Sequence, residues 1–288
     1  MTARATAHVN AQQRLNNLSS HPLIIHADDF GETEQITLGI CEGIEAGVVT
    51  SASIMANMPA TDFALGRARS LADRASFGVH LTLCEGTPLT RAASLVDSRG
   101  NFCSKRQLFL RSISGRLRLA ELEAEVGAQL ERVAAGGVRV SHLDGHKHLH
   151  QLPVVCTAVA NVARRHGVER VRLAAMHRLA GYATPSSAVR ELLSIHAGRV
   201  FRDSKLRFPR CLIDIRVCMA LAGQPEKWTR LARSAGIVEV FCHPGTELAD
   251  QEKPGSCVRS EELEFLLSPQ MRDLLVAGDS QLVNYWSV

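Results

Sequence analysis

From residue 23 onward, short apolar runs alternate with longer segments whose apolar residues recur at helical spacing. The run 23–27 predicts a buried strand that ends at Asp28, and the apolar spacing within 35–46 predicts a helix closed by Gly47. By the same criteria, further strands are predicted at 48–55, 77–83, 138–143, 168–173, 211–217, 237–242 and 281–286. Further helices are predicted at 62–71, 119–135, 154–166, 187–196, 226–235, 260–267 and 269–276.

This alternation predicts an α/β fold with a parallel sheet, because parallel neighbours need crossover connections. The number of strand–helix units favours an irregular (β/α) TIM-like barrel, complete or incomplete, over an open sheet. We expect one domain over 21–288, preceded by a flexible N-terminal tail at 1–20. Two long insertions without a clear period, at 84–117 and 175–210, are expected to line the substrate cleft.

Polar residues cluster at one end of the predicted strands. Asp28 and Asp29 follow the first strand, and His80 lies in the second half of the third. His146 follows the fourth predicted strand, and His243 follows the run 237–242. Because barrel enzymes carry their chemistry on the loops after the strands, these residues predict an active site at that end.

The adjacent carboxylates Asp28 and Asp29 are costly at the end of an apolar strand unless a cation compensates them. A divalent metal would bind one of them and leave the other beside a coordinated water. The alternative is that one aspartate caps the next helix, although Thr33 lies closer to the helix start. A lone histidine in an apolar strand is commonly a packed core residue, so His80 leaves both interpretations open.

The segment 141–150 contains four histidines and one aspartate. If the strand continues, the residues on one side of it are His142, Asp144, His146 and His148. If a helical turn starts after Gly145, His146 and His150 share a face instead. Either geometry offers imidazoles to a metal, and Asp144 could orient a ligating ring. A histidine tract on the surface remains the alternative, and His243 before Pro244 fits either a plain turn or a proton donor.

The composition narrows the class of protein. Aromatic residues make up 5% of the chain, which disfavours a nucleic-acid groove built from stacking rings. The net charge of +4 is mild, but basic residues cluster at 111–118 and 199–210. These clusters are either a solvated surface or a patch that steers an anionic or membrane-linked substrate.

The cysteines and the apolar runs indicate the cellular compartment in which the protein is expected. The chain has 8 cysteines without a CxxC pair, which predicts reduced thiols in a cytoplasmic protein. The first 20 residues lack the apolar stretch of a signal peptide, and no apolar run is long enough for a transmembrane helix.

Taken together, these segments resemble the YdjC-like carbohydrate deacetylases, a family that includes diacetylchitobiose deacetylases and hopanoid-biosynthesis-associated relatives. The matching segments occur in family order at 27–31, 47–51, 78–80, 142–150 and 243–245. The resemblance implies an irregular (β/α) barrel with a single divalent ion, whose ligands would be Asp29, His80 and His146. Asp28 would be the general base, and His243 would lie near the leaving group. His26 stands where such proteins often have Asn, which affects the expected substrate preference.

The expected function is that of a metal-dependent hydrolase, which removes an N-acetyl group from an acetylated amino sugar or glycoconjugate and releases acetate. The ion is expected to be Zn²⁺ or Mg²⁺, with Asp144, His148 and His150 as supporting residues or alternative ligands. The expected partner is an acetylated amino sugar, an oligosaccharide or a lipid-linked glycan, with no nucleic acid, and the resemblance suggests a homodimer. The alternatives are hydrolysis of a different amide or an ester, and a sugar-binding barrel without turnover.

Overall fold

The described part of the chain has a central parallel sheet of seven strands. The computed structural model describes residues 20–175, 185–233, 236–246 and 259–288. The strands are β1 (His21–Phe30), β2 (Ser51–Ile54), β3 (Ser76–Leu81), β4 (Val140–Gly145), β5 (Cys211–Asp214), β6 (Val238–Cys242) and β7 (Ser280–Leu282). Their order is β4-β3-β2-β1-β6-β5, with β7 paired to the start of β1. The sequence prediction of an α/β fold with a parallel sheet is confirmed.

The helices connect these strands and cover one face of the sheet. They are α1 (Glu34–Glu45), α2 (Thr61–Ser70), α3 (Lys105–Ile113), α4 (Leu119–Ala135), α5 (Val155–Arg165), α6 (Pro185–Asp203), α7 (Ile215–Leu221), α8 (Pro225–Ala232), α9 (Arg259–Leu267) and α10 (Pro269–Ala277). Short 3₁₀ segments lie at His146–Gln151 and Tyr285–Ser287. In the described parts of the chain, no helix has the length and apolar character needed to cross a bilayer.

Several predicted boundaries were wrong. β1 runs through both aspartates to Phe30 instead of ending at residue 27. The strand predicted at 211–217 ends at Asp214, because that side chain accepts a hydrogen bond from the Arg216 amide and caps α7. The closing strand is only Ser280–Leu282, and α6 makes the second insertion largely helical from residue 185. The predicted tail 1–20, apart from Ser20, and residues 176–184 of the second insertion lie outside the described residues.

Residues 170–175 lie between β4 and β5, where a strand was predicted at 168–173. Arg172 donates its backbone N–H to the Leu143 carbonyl at 2.9 Å, on the β4 side. On the other side, Leu212 of β5 donates to the Ala175 carbonyl at 3.0 Å. The segment therefore makes single bridges rather than a continuous ladder, and it contacts the strands at the two ends of the sheet order.

The two faces of the sheet differ in character. On the helix face, apolar side chains pack against the helices; examples are Ile25, Ala27, Ala52, Ile54, Phe77, Val79, Leu143, Val171, Val238 and Val240. On the polar face, alternate positions carry buried hydrophilic side chains: His26, Asp28, Ser51, Ser53, His80, His142, Asp144, Arg172 and Glu239. Strand periodicity produces this division, because successive side chains point to opposite faces.

Candidate active site

The two adjacent aspartates reach the same site because the backbone departs from a regular strand. Asp29 has a φ of 67°, in the left-handed region that aspartate tolerates better than most residues. The register between β1 and β2 also shifts between Ala27 and Phe30. Thr33 caps α1 by accepting a hydrogen bond from the Ile36 amide. The aspartates are therefore not needed as caps, and both are buried at the end of β1.

Asp29 lies against two histidine rings. Its Oδ1 is 3.3 Å from His80 Nε2 and 3.0 Å from His146 Nδ1. Ligand atoms on one tetrahedral zinc ion are separated by about 3.3 Å, given metal–ligand bonds near 2.0 Å. The three side chains also form a group whose potential ligand atoms all lie within 4.8 Å of one another. The arrangement fits a single divalent ion.

The outer nitrogen of each ring faces a carboxylate. His80 Nδ1 lies 3.0 Å from Asp144 Oδ1, and His146 Nε2 lies 3.4 Å from Glu85 Oε2. The His146 ring beside it lowers the pKa of Glu85 to about 2, so Glu85 is ionised at neutral pH. A carboxylate behind a ligating imidazole fixes its tautomer and orientation. The two rings would thus present opposite nitrogens, Nε2 of His80 and Nδ1 of His146, towards Asp29.

Three other groups of potential ligands lie equally close together within the described residues: His26 with His142 and Asp144, Asp28 with His80 and Asp144, and Cys84 with Glu85 and His146. The first two are less available, because Arg172 contacts both oxygens of Asp28 and also pairs with Asp144 at 3.0 Å. By contrast, Arg259 contacts only Oδ2 of Asp29 and leaves Oδ1 facing the two rings. Both ring nitrogens of His26 are hydrogen-bonded to serines. Burial raises the pKa of Cys84 to about 11, so its thiol is a poor ligand at neutral pH.

Asp28 lies beside the Asp29 group and is paired with a buried arginine. Arg172 Nη1 is 2.9 Å from Asp28 Oδ2, and Arg172 Nη2 is 2.8 Å from Oδ1. Burial alone would raise the pKa of Asp28, but the Arg172 guanidinium holds it well below its ordinary value. His26, flagged in the sequence as a departure, lies with Nε2 3.4 Å from Asp28 Oδ1. Asp28 is consequently a fixed, ionised carboxylate.

His243 borders the site at the end of β6. Its Nε2 is 3.9 Å from Asp28 Oδ2, and its backbone N–H donates to the buried Glu262 carboxylate. The side chain is 30% exposed, so it can reach a bound substrate.

The histidine-rich segment divides after Gly145. β4 ends there, and positive φ angles at Lys147 and His148 turn the chain away from the strand direction. His148 therefore packs edge-on against Phe241, while His150 donates from Nε2 to the Arg172 carbonyl at 3.0 Å. Neither residue belongs to a potential ligand group in the described structure. Of the two alternatives from the sequence, the continued strand is wrong, whereas a helical turn does start after Gly145 but is interrupted at Lys147 and His148.

Four charged residues of the site were missed in the sequence. Glu85 supports His146, and Arg259 donates to Asp29 Oδ2 at 2.7 Å. Arg172 and Glu239 are buried on the polar face. Glu239 had a signal, because it is the single charged residue in the apolar run 237–242 and such a charge needs a buried partner. Arg172 is one of three charged residues in 168–173, so the sequence did not distinguish it from its neighbours. Glu85 and Arg259 lie outside the predicted strands and had no comparable signal.

The chain is similar to several known proteins. A Vibrio cholerae serotype O1 protein named carbohydrate deacetylase is 30% identical over 268 residues, which cover 91% of this chain and 94% of that protein. A Geobacillus stearothermophilus protein of the same name is 37% identical over 158 residues, which cover 54% of this chain and 62% of that protein. A crystal structure from Enterococcus faecalis V583, described as a candidate cellobiose-phosphate cleavage protein, has a TM-score of 0.72 and 27% identity, and the match covers 93% of this chain and 99% of that one.

The family model described as YdjC-like protein matches residues 22–277, from the first strand to the last helix. This range contains both aspartates, both ring partners of Asp29 and His243. The chain therefore belongs to the YdjC-like protein family.

Proposed function

We propose that this protein is a metal-dependent carbohydrate N-deacetylase, which hydrolyses the acetamide of an acetylated amino sugar and releases acetate. The observation that carries the proposal is the position of Asp28 next to the group formed by Asp29, His80 and His146. This combination offers three ligands for one ion and a separate carboxylate for proton transfer. The names of the relatives from Vibrio and Geobacillus point to the same chemistry.

The proposed fold is an irregular (β/α) barrel over 21–288. Residues 170–175 support it, since their hydrogen bonds reach β4 on one side and β5 on the other. In a closed barrel the polar face becomes the interior and the helix face becomes the outside. The site then lies at the carboxyl ends of the strands.

The metal would be held by Asp29, His80 and His146. Two imidazoles and one carboxylate favour zinc or another late first-row ion over magnesium, which prefers oxygen ligands. When bound, such an ion supplies Lewis-acid chemistry, because it acidifies a water molecule and polarises a carbonyl. Asp144 and Glu85 keep the two rings in the ligating orientation.

Asp28 is the proposed general base. Because Arg172 lowers the pKa of Asp28, the carboxylate stays ionised at neutral pH but is a weak base. It can accept a proton efficiently only from a strongly acidified water. His243 lies on the open side of Asp28 and is the proposed proton donor to the departing nitrogen. The sugar therefore leaves as a free amine and the acyl group as acetate.

Two substitutions separate the proposed roles of the aspartates. Asp28→Asn removes the basic oxygen and should lower kcat by ~100- to 10,000-fold while metal content stays unchanged. Asp29→Asn replaces a carboxylate ligand with a neutral amide, so metal content should fall and added metal should restore part of the activity. The measurements are elemental analysis and acetate release on a panel of acetylated mono- and oligosaccharides, with zinc or magnesium added.

The control is Asp62→Asn, which changes an exposed carboxylate on α2 and should leave both measurements unchanged. Loss of metal in Asp28→Asn but not in Asp29→Asn would exchange the two roles. Sugar binding by the metal-loaded wild type without acetate release would refute the deacetylase and favour a binding protein.

A further inference from the structure

We propose that Arg172 is a positioning residue that fixes the orientation of Asp28, and that Glu239 and Tyr285 hold Arg172 in place for this purpose. The inference rests on the proposed function of Asp28 as the base. Arg172 touches neither the proposed metal ligands directly nor the open side of the site, so it acts through the carboxylates that it binds.

The contacts of Arg172 define one rigid arrangement. Nη1 lies 2.9 Å from Asp28 Oδ2 and 3.0 Å from Asp144 Oδ2. Nη2 lies 2.8 Å from Asp28 Oδ1 as an ion-pair contact, so Asp28 receives one hydrogen bond and one close charge contact from the guanidinium. Because the guanidinium is planar and contacts both carboxylate oxygens, it restricts rotation of Asp28 more than a single point charge would.

The guanidinium is itself anchored from the opposite side. Arg172 Nε lies 2.9 Å and Nη2 lies 2.7 Å from Glu239 Oε1. The other oxygen of Glu239 accepts a hydrogen bond from the Tyr285 hydroxyl at 2.8 Å. All of these side chains are buried, so water does not compete for the hydrogen bonds. The chain of contacts runs from the C-terminal 3₁₀ segment through Glu239 and Arg172 to Asp28.

The same guanidinium links the proposed base, Asp28, to Asp144, the carboxylate behind His80. Asp144, which shares Arg172 Nη1 with Asp28, also faces His80 Nδ1 at 3.0 Å. Asp144 has an independent contact with the Ser53 hydroxyl, which donates at 2.9 Å. Asp144 can therefore keep its position without Arg172, whereas Asp28 would lose the pairing with both of its oxygens. This difference separates an effect on the base from an effect on the metal.

The test is a double-mutant cycle between Arg172→Lys and Asp28→Asn, measured on the metal-loaded protein. Lysine keeps the buried charge but cannot pair with both oxygens of Asp28. We expect Arg172→Lys to lower kcat by about 10- to 100-fold, because a small displacement of a reacting group causes a rate loss of about this size. KM and the dissociation constant of zinc should stay within about threefold, and in the Asp28→Asn background the same substitution should cause no further loss in kcat.

The matched control is Arg165→Lys, which changes an arginine paired with Glu123 on the exposed side of α5 and should leave kcat unchanged. If Arg172→Lys does not fold, Glu239→Gln serves instead, because it weakens the anchor but leaves the guanidinium. Its smaller loss in kcat should also disappear in the Asp28→Asn background.

Unchanged kcat, equal losses in both backgrounds, or a loss that only follows lost zinc would overturn the inference. Those results leave the proposed function intact as long as the wild type releases acetate. A wild type that binds zinc but releases no acetate would instead refute the proposed function.

Discussion

The two faces of the central sheet are built from the same strands, but different interactions hold their buried side chains in place. On the helix face, Ile25 and Val79 are buried among other apolar side chains, and other apolar residue types of similar size could replace them. On the polar face, His80 and Arg172 are equally buried, but each depends on particular partners at hydrogen-bond distance. The helix face thus stabilises the fold through the apolar area that it buries. The polar face holds the side chains of the candidate site at defined distances from one another. Substitutions on the two faces should therefore have separable effects.

The largest expected effect concerns the helix face. Ile25→Ala removes a fully buried side chain from the core and should lower the free energy of unfolding by about 2–5 kcal/mol. Because Ile25 points away from the site, kcat at a temperature where the variant is folded should equal that of the wild type. Urea unfolding and acetate release provide the two measurements. A variant with unchanged stability but a lower kcat would contradict the proposed difference between the two faces.

The next effect concerns the polar face. Asp144→Asn leaves His80 with a neutral partner and should weaken zinc binding by about 10- to 100-fold, as is typical for carboxylates behind a ligating histidine. Glu85→Gln should weaken it less, because Glu85 is partly exposed and lies 3.4 Å from His146 Nε2. Isothermal titration with zinc ranks the two variants. The reverse order would mean that His146, rather than His80, depends more on its carboxylate.

The smallest effect is a pH dependence of stability. Burial, reinforced by Arg172 and opposed by Asp144, lowers the pKa of His150 to about 4. Since the unfolded chain has the ordinary value of 6.5, the contribution of His150 is complete above pH 6.5 and is lost as the pH falls towards 4. Between pH 7.5 and 5.5 this one histidine should cost about 1 kcal/mol.

The measurement is urea unfolding in EDTA at both pH values, for the wild type and for His150→Gln. Glutamine can still donate to the Arg172 carbonyl but does not titrate. The variant should therefore lose less stability than the wild type on acidification. Equal losses in the two proteins would show that His150 is not kept neutral by its burial.

The sequence predicted the helix face better than the polar face. Apolar runs at 23–27, 77–83 and 237–242 mark the strands that contribute to the core, and their alternation with helices predicts the parallel sheet. The end of the strands, where the aspartates and His146 lie, followed from the same pattern.

The polar face could not be predicted in full, because its partners come from distant parts of the chain. Ser53 contacts His26, His80 and Asp144, but a serine inside a strand carries no signal of such a role. Gly78 leaves room for the His142 ring, which would lie 2.4 Å from a Cβ at that position. The roles of His148 and His150 depended on backbone angles that local spacing does not determine.

The left-handed backbone at Asp29 has a consequence for protein engineering. In a regular strand, two neighbouring side chains can never serve one pocket, so a designer would take the two carboxylates from separate strands. Here a single residue with a φ of 67° turns the second carboxylate towards the same site, so a two-residue segment carries both the proposed base and a proposed metal ligand. A grafted copy of the pair would need the register shift and the left-handed conformation as well as the two aspartates. A β-branched residue at the second position would disfavour the left-handed conformation. The two neighbouring side chains would then point to opposite faces of the strand.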